Sequence, residues 1–233
     1  MLRSPVVSIV IPAFNEEKTI GNVIEDTTTV MDSLNMPYEI IVVDDGSTDN
    51  TRRVAAAYKA TVLSNEKNRG KGNAERKGFR HAQGDIIVTI DGDGAHKPKE
   101  ISNLITPLLN GTDITAGSRF LGRGKYGTSK LKLLGNLIFN MSIMLLTRKS
   151  ITDSQTGFRA MKKEVLKKLN LQSQGFEIET EITVKSLKNG FKFKEEPITV
   201  NRREHDISKV KTLSDGIKIL KAILIANSSK IEQ

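Results

Sequence analysis

No cysteine and no tryptophan occur among the 233 residues, and aromatic side chains make up only 5% of them. Without cysteine there are no disulfides and no thiolate metal sites. With so few rings, stacking platforms for single-stranded nucleic acid are poorly supplied. Three histidines, His81, His96 and His205, are too scattered to suggest a zinc centre. No uninterrupted apolar run approaches the ~20 residues that span a bilayer. No secretory signal pattern opens the chain; Met1 to Pro5 leads straight into a short strand. The glycine fingerprint of dinucleotide binding is missing after that strand, which argues against a nicotinamide enzyme, and P-loop spacing is absent.

What is present is enough chain for one sizeable α/β domain, 37% hydrophobic and 27% charged, with a net charge of +9. A basic balance suits nucleic acid, anionic lipid or phosphorylated substrates. The most informative stretch is Asp91-Gly92-Asp93. Before it, residues 85–90 read as a strand buried on both faces. Two carboxylates one residue apart then stand at its carboxyl end, where open α/β sheets bind ligands. Such a pair can hold Mg²⁺ or Mn²⁺ together with substrate phosphates. The plainer alternative is a turn whose acids cap the following helix.

Earlier segments alternate in the same way. Strands are expected at 6–11, 38–43 and 61–63, and another at 113–116. Helices are expected from Asn15 toward Leu34, with Asn15 as its cap, and at 50–58, 73–82 and 98–109. This alternation predicts a mostly parallel sheet covered by helices on both faces. Asp44-Asp45 ends the second strand. Asn68-Arg69-Gly70-Lys71-Gly72 is a glycine-rich basic loop whose amides can approach an anion at a helix N-terminus.

The second half is more basic and more apolar. Residues 121–130 are glycine-rich and basic, and 131–146 carry a helical stripe of Leu, Ile and Met. That helix either packs on the domain, which periodicity favours, or meets lipid with Lys130, Lys132, Arg148 and Lys149 at its ends. Helices are expected near 161–168, 177–189 and 212–226, strands near 191–195 and 197–200, and a charged loop at 201–211. Acids thus gather after strands two and four, and bases in three loops. A nucleic-acid binder would explain the net charge but neither acid cluster. A metal beside anion-binding loops fits a substrate with a diphosphate, on which the metal acts as a Lewis acid.

Val10-Ile11-Pro12-Ala13-Phe14-Asn15-Glu16-Glu17, Val43-Asp44-Asp45-Gly46-Ser47 and Asp91-Gly92-Asp93 together resemble a family 2 glycosyltransferase with the GT-A fold. Gly117-Ser118-Arg119-Phe120, Asp153-Ser154-Gln155-Thr156-Gly157-Phe158-Arg159 and the stretch Arg202 to Lys209 narrow the resemblance. They are similar to the dolichol-phosphate mannosyltransferase and dolichol-phosphate glucosyltransferase group. The resemblance implies a Rossmann-like nucleotide-diphospho-sugar transferase and covers about residues 6–211. One GT-A domain is expected over 1–233. Its half 1–117 would bind nucleotide sugar, 118–211 would serve the acceptor, and 212–233 would be a C-terminal helix. Pro12, Phe14, Glu16, Asp44 and Asp45 would hold the nucleotide, with Lys71 added from the basic loop. Asp91 and Asp93 would face Mg²⁺ or Mn²⁺ and the sugar diphosphate. Arg119, Lys130 and Lys132 would receive the lipid phosphate. Arg202, Arg203 and Lys209 would close over the donor diphosphate. One departure stands out: many relatives have Gln two residues after the second acid, and here that place is Ala95. Water or His96 would fill it.

The expected reaction is inverting transfer of a hexose from a GDP-mannose or UDP-glucose type donor to a polyprenyl or dolichyl phosphate. A phosphate acceptor is already anionic near neutral pH, its second pKa being ~6, so no strong protein base is needed. A hydroxyl acceptor would need one, and Asp153 is the candidate; otherwise Asp153 orients acceptor or sugar. The alternatives are a soluble family 2 enzyme acting on a sugar hydroxyl, and a nucleotide-sugar-binding module without turnover. Many membrane-bound relatives continue into transmembrane helices. This chain is expected at the cytoplasmic face of the membrane as a peripheral protein.

Overall fold

The computed structural model describes residues 5–121, 130–201 and 212–228. Its centre is a stretch of apolar strands. β1 (Val7–Ala13) is buried along its whole length, and β2 (Tyr38–Asp44) along all but its first two residues. β3 (Thr61–Ser64), β4 (Ile86–Thr89), β5 (Ile114–Ser118), β6 (Arg159–Lys162) and β7 (Phe193–Pro197) complete a seven-stranded sheet in the order β3-β2-β1-β4-β6-β5-β7. β6 runs antiparallel to both its neighbours, and every other pairing is parallel. The mostly parallel α/β sheet expected from the alternation is what forms.

Because side chains alternate along a strand, each parallel strand feeds two cores. Val7, Ile9 and Ile11 face one side, where α1 (Ile20–Ser33), α2 (Thr51–Ala56) and α4 (Ile101–Leu109) cover them. Val10, Ile41 and Ile87 face the other, under α3 (Lys71–His81), α6 (Lys163–Leu169) and α7 (Ile178–Lys188). A third cluster joins α5 (Lys130–Thr147) to α7 and α8 (Thr212–Ser228) through Ile143, Val184, Ile219 and Ile223.

Four expectations change. Asn15 does not cap α1. Its backbone is left-handed, with φ 53°, and the helix begins at Ile20. α3 begins at Lys71, two residues early. Arg159–Lys162 is a strand where a helix start was expected, because a short Arg-Ala-Met-Lys run carries no period of its own and is recruited between β4 and β5. The strand expected at 197–200 reduces to one bridge between His96 and Val200.

α5 also departs from simple packing. Leu134, Leu137, Ile138, Met141 and Leu145 are exposed, Leu145 to 75%, while Ile143 is buried. On α8, Ile217, Leu224 and Ile225 are exposed as well, and the two helices pack side by side. Both helices are apolar around much of their circumference, so one face is left over after the core is satisfied. Among the described residues no helix is long and apolar enough to cross a membrane.

α3 crosses β1 and β2 closely at Gly78. A Cβ there would collide with Val10 Cγ1 and lie 3.3 Å from Val43 Cγ2. Gly78→Ala should therefore destabilise the protein by about 1–3 kcal/mol through overpacking. The check is a lower urea midpoint with an unchanged m-value.

Candidate active site

Register brings the acids together. Ala13 lies beside Asp44, and Val10 beside Thr89, so β1, β2 and β4 release their loops at one edge of the sheet. The loops after β1 and β2 are then laced together. Asn15 N donates to Ser47 Oγ (2.9 Å), and Asn15 Oδ1 accepts from Thr48 N (2.8 Å). Glu16 N donates to Thr51 Oγ1 (2.7 Å), and Glu17 Oε2 accepts from Asn50 N (2.9 Å). Thr19 Oγ1 donates to Gly92 O (2.8 Å), which ties the start of α1 to the Asp91-Gly92-Asp93 turn. Glu16, Asp93 and His96 line a shared cleft of about 1280 Å³ between α1 and the 93–99 segment.

The two acids after β2 are buried and do different things. Asp44 Oδ1 accepts from Ser47 N and shapes the turn. Asp45 accepts from Asn65 Nδ2 (2.7 Å), Arg69 N (3.0 Å) and Gly70 N (2.8 Å). The amides of the glycine-rich loop thus point at the protein's own carboxylate. Two amides of the loop expected to cradle an anion are thus taken by Asp45, which holds the loop in place.

Lys71, from the same loop, reaches the metal motif. Its Nζ lies 2.6 Å from Asp91 Oδ1 and 2.5 Å from Glu179 Oε1, with Glu75 Oε1 at 3.7 Å. Gly157 sits directly above this group, since a Cβ there would lie 2.9 Å from Asp91 Oδ1. Thr89 Oγ1 donates to Gly157 O (2.7 Å) and pins the 153–159 segment to β4. Burial pulls the Lys71 pKa down, but Asp91, Glu179 and Glu75 outweigh it and raise it well above the usual lysine value. Burial pushes Glu75 up to about 8 and raises Glu179 as well. His96 is buried, packs on Phe158 and its pKa is pulled down by that burial; its Nδ1 lies 3.7 Å from Asp91 Oδ2 and has no hydrogen-bond partner among the described residues.

On the other side of the edge, Arg119 and Asp153 form a fork: Nε to Oδ2 at 2.6 Å and Nη2 to Oδ1 at 2.8 Å. Asp153 is fully buried and also accepts from Gln155 N. Glu195 accepts from Thr152 N and Asp153 N, fastening the segment from β7. Asn140 of α5 bridges to it, Nδ2 donating to Thr152 O (2.7 Å) and Oδ1 accepting from Ser154 N (3.2 Å).

Pro12, Asp44, Asp45, Lys71, Asp91, Asp93, Arg119 and Asp153 are thus all on or beside the carboxyl-end loops. Phe14 and Glu16 follow β1. Arg202, Arg203 and Lys209 lie outside the described residues, as do the side chains of Lys130 and Lys132 in the first turn of α5. Sequence reading missed Glu75, Glu179 and the burial of Arg159. The signal for Glu179 was the run of acids Glu177-Ile178-Glu179-Thr180-Glu181 at the start of a helix.

Two carboxylates at this edge suit a hard cation that takes its remaining oxygens from a diphosphate. Among the described residues no group of three or more acids and histidines is gathered as a ready-made metal cage. Asp91 and Asp93 are the carboxylates such a cation would meet, with Asp91 Oδ1 already paired to Lys71.

The fold is that of the GT-A glycosyltransferases. Solved structures of glucosyl-3-phosphoglycerate synthase from Mycobacterium tuberculosis share the fold. One, with phosphoglyceric acid, has a TM-score of 0.79 at 23% identity, over 97% of this chain and 81% of that one. Another, with Mn²⁺, uridine diphosphate and phosphoglyceric acid, has a TM-score of 0.78 at 22% identity, over 97% and 80%. The model for glycosyl transferase family 2 matches residues 8–170, and the chain belongs to that family. A dolichol-phosphate mannosyltransferase of Pyrococcus furiosus is 34% identical, over 88% of this chain and 59% of its own length. A UDP-N-acetylglucosamine–dolichyl-phosphate N-acetylglucosaminyltransferase of Methanococcus voltae is 31% identical over 99% of each chain. An uncharacterised protein of Methanocaldococcus jannaschii is 36% identical over 91% and 88%. These relatives agree with the dolichol-phosphate transferase group to which the motifs pointed.

The raised Glu75 pKa has a consequence for stability. A carboxyl that binds its proton more tightly when folded stabilises the protein below its unfolded pKa and loses that contribution as pH rises through the folded value. Stability should therefore fall between about pH 4.5 and about 8. Glu75→Gln should flatten that decline in urea titrations across this range.

Proposed function

We propose that this protein transfers a hexose, with inversion, from a nucleotide sugar of the GDP-mannose or UDP-glucose type to the phosphate of a polyprenol such as dolichol. The reading rests on one juxtaposition. Asn140 ties the Arg119–Asp153 fork to α5, whose exposed face is apolar. An arginine held by a carboxylate has a fixed direction and can still offer paired N–H bonds to a phosphate. An exposed apolar helix beside it suits the tail of the same molecule. The names of two relatives, both dolichyl-phosphate transferases, support the acceptor class.

On this reading residues 1–117 hold the donor. Pro12, Phe14, Glu16 and Asp44 surround the nucleotide, while Asp45 holds the basic loop in place. Asp91 and Asp93 would hold Mg²⁺ or Mn²⁺, which supplies Lewis-acid charge to the departing diphosphate when bound. Residues 118–211 serve the acceptor. Its phosphate oxygen attacks the anomeric carbon; a new C–O bond forms there and the bond to the nucleoside diphosphate breaks, the electron pair leaving with the diphosphate. The acceptor oxygen is already anionic, so Asp153 acts by orienting Arg119. Both its oxygens accept hydrogen bonds, which suits that role better than proton abstraction. The exposed faces of α5 and α8 would rest in the outer layer of a membrane, which makes the protein peripheral, at the cytoplasmic face.

Incubation with labelled GDP-mannose, UDP-glucose and UDP-N-acetylglucosamine, with and without polyprenyl phosphate, tests the reading; label should enter the lipid only when the acceptor is present. Arg119→Ala should raise the apparent KM for polyprenyl phosphate more than that for the sugar nucleotide. Asp93→Asn should keep the fold and lose at least ~2 kcal/mol of transition-state stabilisation. If Asp153→Asn abolishes transfer while Arg119→Ala leaves acceptor KM and kcat unchanged, the acceptor is a hydroxyl.

A further inference from the structure

Beneath the Asp91-Gly92-Asp93 turn lies charge that the transfer as described does not use. Glu179, in the first turn of α7, and Glu75, one turn along α3 from Lys71, are exposed to only 2% and 1%. Among the described residues, no hydrogen-bond donor other than the Lys71 ammonium serves either Glu179 oxygen or Oε1 of Glu75. Their nearest cation is Lys71, shared with Asp91. Arg159 is also buried, but its guanidinium donates to Thr156 O, Ser154 O and Thr183 Oγ1, not to a carboxylate. One ammonium thus contacts all three acids, and the Arg159 charge acts on Glu75 and Glu179 without a direct bond.

Stability alone does not ask for this. A buried ion pair recovers its desolvation cost only with good geometry and further hydrogen bonds, and uncharged residues of similar volume commonly do as well or better. Here, among the described residues, those oxygens have the shared ammonium and no further hydrogen bond. What the arrangement does provide is position. A lysine is a point charge on a flexible four-carbon stem. With Asp91 as its sole acid, Lys71 could turn away from the sheet edge. Glu179 lies on a different helix and 2.5 Å from Nζ, so the ammonium is held between α7 and the end of β4. Gly157 lies close above it, where a Cβ would collide with Nζ.

We propose that Glu179 is a positioning residue, which fixes Lys71 against Asp91 so that the pair meets the donor diphosphate already set. It touches neither donor nor acceptor. The inference deepens the reading above and rests on it. A preset charge needs no reorganisation when negative charge develops on the leaving group, so the effect belongs to the donor side and not to acceptor affinity.

The test is a double-mutant cycle of Glu179→Gln and Lys71→Met, read by calorimetric binding of GDP and UDP with Mn²⁺ and by steady-state kinetics. Glu179→Gln should weaken nucleoside diphosphate binding or lower kcat by about tenfold, in the range expected for contacting residues, with acceptor KM unchanged. In the Lys71→Met background it should cost nothing more. Effects that multiply, or a Glu179→Gln protein indistinguishable from wild type, overturn the inference while leaving the transferase reading intact. Should Glu179→Gln not fold, Glu179→Asp carries the same cycle, since it keeps the charge but withdraws it by one methylene. A wild-type protein that binds neither GDP nor UDP overturns the transferase reading and this inference with it.

Discussion

Three parallel strands run in fixed register to one edge of the sheet, and the site depends on that. Ala13 pairs with Asp44 and Val10 with Thr89, so loops from β1, β2 and β4 leave the sheet within hydrogen-bonding reach. A slip of one residue in any of these pairings would exchange the two cores, because Ile9 and Val10 face opposite layers. The depth of apolar packing on both faces thus holds the register, and the register sets the distance between Asp44 and Asp91. The bond from Thr19 Oγ1 to Gly92 O adds a local tie at the same level.

Around that edge the protein uses its charges in pairs that face inward. Asp45 holds the basic loop, Asp153 holds Arg119, and Asp91 holds Lys71. Each pairing turns a flexible cation or backbone segment into a directed one. Glycines at the crossing points matter for the same reason, since Gly157 lets the 153–159 segment lie directly over the Lys71–Asp91 pair. The cost is a surplus of buried carboxylate below the turn, which appears as the upward shifts of Glu75 and Glu179.

The Arg119 side of the edge is built differently. Its polar contacts come from Asn140, Thr152 and Glu195, and its outer surface from exposed Leu, Ile and Met on α5 and α8. A soluble helix normally turns such side chains inward. α5 buries Ile143 against α7 and α8 and leaves the rest facing out. The two sides of the edge therefore differ in solvent character: charged and hydrogen-bonded around Asp45 and Asp91, apolar on the outer faces of α5 and α8.

Much of this was legible in the residues alone. Buried β-rich runs, acids at their carboxyl ends and alternating helical segments determined a mostly parallel α/β sheet with a site at that edge, because period, apolar run and turn chemistry are local properties. The motifs carrying Asp44, Asp91, Arg119 and Asp153 also named the family. What only the tertiary structure decided was which partners those groups take. β6 became a strand through recruitment by β4 and β5, not through any pattern of its own. Asn15 went left-handed because Ser47 and Thr48, more than thirty residues away, bind both its ends. Glu179 meets Lys71 across 108 positions of chain, and Asp153 meets Arg119 across 34, through contacts that exist only once the sheet has closed. Burial and electrostatics between distant segments have no signature in local sequence, so the roles of Glu75, Glu179 and the exposed side of α5 emerge only from the folded chain.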